Sequence, residues 1–213
     1  MGELHDIRRD YVYGGLDERE AADEPYAQFR RWWDDALAAG VPDVNAMALA
    51  TAGAAGDPSV RVVLLKGFDE RGWVFFTHYG SRKGRELTER PRAALVFYWS
   101  PMDRQVRIAG PVEKVSREES AAYFATRPPG SRCAAAAATQ SEPIPDRATL
   151  ESRVAAVEQE HPDGAVACPS GWGGYRLLAD EVEFWQGRPN RLHDRLHYLK
   201  HPDGTWTRQR LAP

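Results

Sequence analysis

The stretch Val60-Arg-Val-Val-Leu-Leu-Lys-Gly-Phe-Asp-Glu-Arg-Gly-Trp-Val-Phe-Phe-Thr-His78 holds two runs rich in branched and aromatic residues, parted by Asp69-Glu-Arg-Gly72. Such residues suit a pleated, half-buried surface, and a polar break carrying glycine lets the chain reverse. The pattern predicts two strands, Val60 to Phe68 and Trp73 to His78. Comparable runs lie on both sides: Ala46 to Ala52, Ala93 to Trp99, Gln105 to Val115, Tyr175 to Leu178, Glu181 to Gln186, Leu192 to Leu199 and Trp206 to Leu211. Many short, locally connected strands with a few helices between them predict an α+β fold, an antiparallel barrel with flanking helices.

The helices announce themselves by period and punctuation. Asp23-Glu-Pro25 opens one in which Phe29, Trp32, Trp33, Ala36 and Leu37 fall on one face, and Gly40 closes it. Ser81 to Glu89 reads as a short helix stopped before Pro91. Ser116-Arg-Glu-Glu119 is a capping box whose helix runs to about Thr126, ended by Pro128-Pro129. Another covers about Ala148 to Glu160.

The chain has 213 residues, 42% hydrophobic and 28% charged. These values predict one globular domain over 1–213 and exclude disorder as a whole-chain state. The net charge of −3 argues against a nucleic-acid or anionic-membrane partner. A barrel binding single-stranded nucleic acid would need a basic aromatic stripe, which is missing. Two cysteines without metal-ligand spacing predict neither disulfide framework nor metal site. No apolar run reaches 18 residues and the polar, charged segment Met1 to Asp10 has no apolar core of a signal peptide, so a cytoplasmic protein is expected.

The basic residues number 24 Arg and four Lys, and several gather near turn or helix signals. Arg61 and Lys66 bracket an apolar strand at opposite parity, so the spacing points them to opposite faces. Ser81 caps a helix whose first turn carries Arg82 and Lys83. Cations there oppose the helix dipole and make sense beside a bound anion. Tyr123, Arg127 and Ser131 recur every four residues and offer two hydroxyls and a guanidinium to a phosphate monoester. Arg191, His193 and Arg195 have period two, which predicts one strand face crowded with cations unless an anion meets them.

These words, in this order, resemble the pyridoxine/pyridoxamine 5′-phosphate oxidase family from Ile7-Arg-Arg-Asp-Tyr11 to Arg210-Leu-Ala-Pro213. The matching words are Arg61 to Lys66, Gly80-Ser-Arg-Lys83, Arg104-Gln-Val106, Trp172-Gly-Gly-Tyr175, Glu183-Phe-Trp-Gln-Gly187 and Arg191-Leu-His-Asp-Arg195. The resemblance implies a split β-barrel homodimer with FMN at the subunit interface. It implies oxidation of pyridoxine and pyridoxamine 5′-phosphates to pyridoxal 5′-phosphate, with O₂ as acceptor and hydrogen peroxide released. FMN would lie against Arg61, Val62, Val63, Leu64, Leu65, Lys66, Phe76, Thr77, Arg82, Lys83, Gln105, Gln140, Ser141, Trp185 and Arg195. The substrate phosphate would meet Lys66, Tyr123, Arg127 and Ser131, while the catalytic Arg191 and His193 face the pyridine. Arg8 and Tyr11 would close over it from the segment 1–22.

One stretch departs from the family. Where the family has a Gly-Ala-Trp segment, this chain reads Arg132-Cys-Ala-Ala-Ala-Ala-Ala-Thr139. Two rival readings keep the flavin: an oxidase of another aromatic metabolite, such as a phenazine precursor, and a flavin-binding protein without turnover.

Overall fold

The computed structural model describes residues 10–11 and 14–213, and its contacts divide the chain into two compact units. One comprises residues up to 49 with 94–110 and 179–213; the other comprises 50–93 and 111–178. Three strands, β1 (Ala46–Ala52), β5 (Arg92–Trp99) and β6 (Arg104–Lys114), begin in one unit and end in the other.

The first unit carries α1 (Pro25–Ala38), β8 (Glu181–Gln186), β9 (Asp194–Lys200) and β10 (Trp206–Arg210). Its strands run in the order β10-β9-β8-β6-β5-β1, with β10, β9, β8 and β6 antiparallel. Pro25 sits in the first turn of α1, where its missing N–H costs no helical bond. Phe29, Trp32 and Ala36 are buried: Phe29 packs 5.2 Å from Phe97, and Trp32 meets Phe184 edge-on at 5.2 Å. Leu37, expected on that face, is 52% exposed. At 100° per residue it falls at the edge of the stripe, and Gln28 takes the buried place on the flank.

In the second unit β4 (Gly72–His78) is flanked by β3 (Gly67–Asp69) and β7 (Trp172–Leu177), and β7 also pairs with β6. The Asp69 carboxylate accepts from the Arg71 N–H within the β3–β4 turn. Gly72 follows at φ 145°, where an added Cβ would collide with the Leu177 carbonyl, so only glycine serves. The run 60–68, expected as one strand, is two: β2 (Pro58–Leu64) ends before Leu65-Lys66, and β3 begins at Gly67. Lys66 N–H still bonds the Val74 carbonyl, so the break redirects side chains while keeping the pairing to β4.

Four helices complete the second unit: α2 (Arg82–Glu89), α3 (Arg117–Ala125), α4 (Pro129–Ala137) and α5 (Arg147–Glu160). Ser81 accepts from the Gly84 N–H, Ser116 from Glu119 and Asp146 from Thr149, each satisfying a helix-end donor. The double proline ends α3 as expected and also starts α4, because Pro129 lies in that helix's first turn.

Candidate ligand cavity

A cavity of about 1080 Å³ opens in the second unit, at the upper end of ordinary ligand sites. Strand β2 contributes Arg61, Val62, Val63 and Leu64, and the redirected chain adds Lys66. Phe76 and Thr77 come from the end of β4, Arg82 and Lys83 from the start of α2. Tyr123 and Arg127 lie at the end of α3, Ser131 on α4, and Gln140 and Ser141 in the following loop. Arg61 and Lys66 thus line one cavity, not opposite faces, because the strand breaks between them. Leu65, grouped with them in the sequence, is a core residue at 4% exposure and does not line the cavity.

The cations form two groups. In the first, the Lys83 ammonium is buried and donates to Gln140 Oε1 (2.8 Å) and Thr77 Oγ1 (3.2 Å), both neutral acceptors. Burial and then the Arg61 charge bring its pKa down to about 8. Arg61 donates to Thr51 and Ser59 and reaches Glu86 Oε2 at 3.3 Å, while Arg82 Nε donates to Glu86 Oε1 at 2.9 Å. Burial alone would raise the Glu86 pKa. Hydrogen bonds from Ser59, Thr51 and Arg82, with the Arg61 charge, hold it at about 2.

The second group is Lys66, Tyr123, Arg127 and Ser131. Phe76 stacks on Tyr123 at 4.0 Å and on Trp172 at 5.5 Å, giving the cavity a flat aromatic wall. The Arg127 guanidinium lies 4.9 Å from the Trp172 ring. Its Nη1 is buried and has no hydrogen-bond partner among the described residues. Burial pushes its pKa down, the signature of a cation lacking a counter-charge.

A third cluster belongs to the first unit. Trp185 lies 4.6 Å from His193, and Tyr11 meets both rings edge-on at 5.8 and 5.2 Å. Gln105 faces Trp185 across the β6–β8 register. His193 Nδ1 accepts from the Arg188 N–H at 3.1 Å, which leaves Nε2 as the protonated nitrogen of the neutral ring. Burial, then the Arg191 charge, lowers its pKa.

The single strand face expected for Arg191, His193 and Arg195 does not form. Pro189–Arg191 is a 3-10 turn, Asn190 and Arg191 have φ of 55° and 61°, and β9 starts only at Asp194. Arg195 does lie on β9, but a protein carboxylate meets it: Glu183 takes Nε and Nη2 at 2.8 and 3.0 Å and also pairs with Arg107. Arg8 lies outside the described residues.

Several cavity residues carried no sequence assignment: His78, Thr126, Trp172, the Ala134 and Ala135 side chains of α4, and Ala138 just after it. Trp172 stood inside a quoted motif without a role. Glu86 stands four residues after Arg82, a helical ion-pair spacing that signals a partner.

An antiparallel β-sheet with flanking helices and a cavity pairing an aromatic wall with two cationic groups defines a split-barrel protein suited to planar, anionic ligands. Residues 33–161 match the family model described as pyridoxamine 5′-phosphate oxidase, and 172–213 match the pyridoxine 5′-phosphate oxidase C-terminal dimerisation region. The chain is 57% identical over 213 residues to a pyridoxine/pyridoxamine 5′-phosphate oxidase of Ralstonia pickettii (strain 12J), covering all of both chains. It is 54% identical to one from Pseudomonas paraeruginosa, over 99% of this chain and 98% of the relative.

Among solved structures it is similar to PhzG from Burkholderia lata 383 in complex with tetrahydrophenazine-1-carboxylic acid (TM-score 0.89, 33% identity, 94% of this chain and 99% of that one). A pyridoxamine 5′-phosphate oxidase-related, FMN-binding protein of Nostoc punctiforme shares the fold (TM-score 0.73, 18% identity, 89% and 98% covered). The chain belongs to the pyridoxamine 5′-phosphate oxidase family and is an oxidoreductase with a split-barrel fold. No helix among the described residues is long and apolar enough to cross a membrane.

Proposed function

We propose that this protein is an FMN-dependent oxidase of pyridoxine 5′-phosphate and pyridoxamine 5′-phosphate, acting as a homodimer with FMN at the interface. The observation that carries the reading is the pair of separate cationic groups in one aromatic-walled cavity, since flavin and substrate each bring a phosphate. The residues fit both. Among the described residues, a buried Lys83 whose acceptors are neutral and a buried Arg127 nitrogen without a partner are sites that an anion would complete.

When bound, FMN supplies the two-electron acceptor that O₂ regenerates with release of hydrogen peroxide. The chain's residues bind, orient and seal. Arg61, Arg82 and Lys83 would hold the flavin phosphate, with Val62, Val63 and Leu64 along its length and Gln140 and Ser141 supplying neutral contacts. Lys66, Tyr123, Arg127 and Ser131 would grip the substrate phosphate, so that its binding energy orients the carbon to be oxidised. Arg191 and His193 would face the pyridine. His193, with its pKa lowered and Nδ1 engaged, would offer an Nε2–H donor instead of a positive charge. By the family resemblance, Gln105, Trp185 and Arg195 would meet the flavin and Tyr11 the substrate.

The similarity to PhzG favours a second reading, oxidation of an unphosphorylated tricyclic acid. Tyr123, Arg127 and Ser131 converging on one cavity favour the phosphorylated substrate instead. An aerobic assay following aldehyde and peroxide decides: pyridoxine 5′-phosphate should turn over and unphosphorylated pyridoxine should not. Equal rates would overturn the reading.

A further inference from the structure

Glu86 is an acidic residue at the heart of a cationic group. It lies on α2 with 8% exposure, and its two carboxylate oxygens are divided between different elements. Oε2 takes Thr51 Oγ1 at 2.5 Å, Ser59 Oγ at 2.6 Å and Arg61 Nη2 at 3.3 Å; Oε1 takes Arg82 Nε at 2.9 Å. Thr51 and Ser59 also accept from Arg61, so the guanidinium is tied to all three groups.

We infer that Glu86 is a positioning residue for the phosphate of the flavin, holding Arg61 and Arg82 in the orientation that the phosphate needs. This rests on the reading that Arg61, Arg82 and Lys83 receive that phosphate. Arg82 shows the physical need. Its side chain is 62% exposed, and an exposed arginine samples many rotamers, each of which is lost when it grips a ligand. Fixing Nε on Glu86 keeps that bond off the Nη groups of this cavity-lining arginine and settles the rotamer before the ligand arrives. A carboxylate beside a phosphate site would ordinarily repel the ligand. Here Arg61 and Arg82 contact the carboxylate and Lys83 lines the same cavity, so three cations set against one carboxylate leave two net positive charges for a phosphate monoester, which carries about −1.5 to −2 near neutrality.

The test compares FMN with riboflavin, the same ring system without the phosphate, by titrating each into full-length, flavin-stripped protein. Glu86→Gln keeps the size and one acceptor but loses the charge and the two-oxygen geometry. It should weaken FMN at least tenfold and leave riboflavin within about twofold. Ser59→Ala removes one bond to the carboxylate and one from Arg61, and should narrow the FMN preference in the same direction by a smaller factor. A merely structural role would weaken both flavins together in either variant. Such a parallel loss, an unchanged ratio, or tighter FMN binding to Glu86→Gln would overturn the inference. Should Glu86→Gln fail to fold, the Ser59→Ala ratio decides alone. A wild-type protein showing no preference for FMN over riboflavin would instead overturn the parent reading, and this inference with it.

Discussion

The Lys83 ammonium and the Gln140 side-chain carbonyl meet at 2.8 Å inside the protein, a full charge whose hydrogen-bond acceptors among the described residues are neutral oxygens. The two residues stand 57 apart in the chain, and their meeting joins the start of α2 to the loop after α4.

Burial of Lys83, and then the Arg61 charge, make FMN affinity depend on pH with a definite sign. With no anion bound, Lys83 loses its proton near pH 8. A bound phosphate favours the charged form, so above that pH binding must take up a proton. FMN affinity should be flat between about pH 7 and 8, where the phosphate is dianionic, and fall above that range, measured by quenching of flavin fluorescence. Lys83→Met should remove the inflection and weaken FMN by about 10- to 100-fold, the worth of a charged hydrogen bond of roughly 1.5–3 kcal/mol.

Arg127 lines the same cavity with a buried nitrogen that has no hydrogen-bond partner among the described residues. Arg127→Gln should raise KM for pyridoxine 5′-phosphate by about 10- to 100-fold, on the same charged hydrogen-bond scale. Flavin content, read from the visible absorbance of the purified protein, should stay near that of the wild type. A matching loss of flavin would assign Arg127 to the cofactor instead.

Arg191 holds a left-handed backbone at φ 61°, which costs a non-glycine residue about 1 kcal/mol or more. Arg191→Gly should therefore raise Tm by about 2–4 °C while turnover falls sharply. Thermal unfolding and steady-state kinetics on one preparation check both halves. Retained turnover would remove Arg191 from the catalytic set.

Glu86 has its carboxyl pKa lowered in the fold, from 4.5 to about 2. The stability it contributes is present above pH 4.5 and is lost as the pH falls toward 2. The gain at neutral pH amounts to about 3 kcal/mol at most, from about 1.4 kcal/mol per pH unit. Urea melts of wild type and Glu86→Gln should differ at pH 7 and converge near pH 2.

Much of the fold was legible because its signals are local. Branched and aromatic runs marked the positions of the strands, and serines at 81 and 116 cap the helices that follow them. The α4 helix was not legible. Pro128-Pro129 reads equally as an end and as a beginning, and five consecutive alanines carry no apolar face to reveal a helix. The candidate cavity was legible as separate words. That Arg61 and Lys66 share one wall depends on a break at Leu65-Lys66, which parity counting cannot see.

By itself the sequence determined the order of the elements, the caps and turns that separate them, and which residues could meet a phosphate. Each of these depends on backbone preferences within a few residues. Only the tertiary structure decided how those residues are occupied. It set Arg195 against Glu183, placed Arg191 in a left-handed turn, buried Lys83 against the neutral oxygens of Thr77 and Gln140, and joined Glu86 to two arginines. Burial and ion pairing depend on groups distant in the chain, so a cation's partner is settled only when the sheet and helices pack.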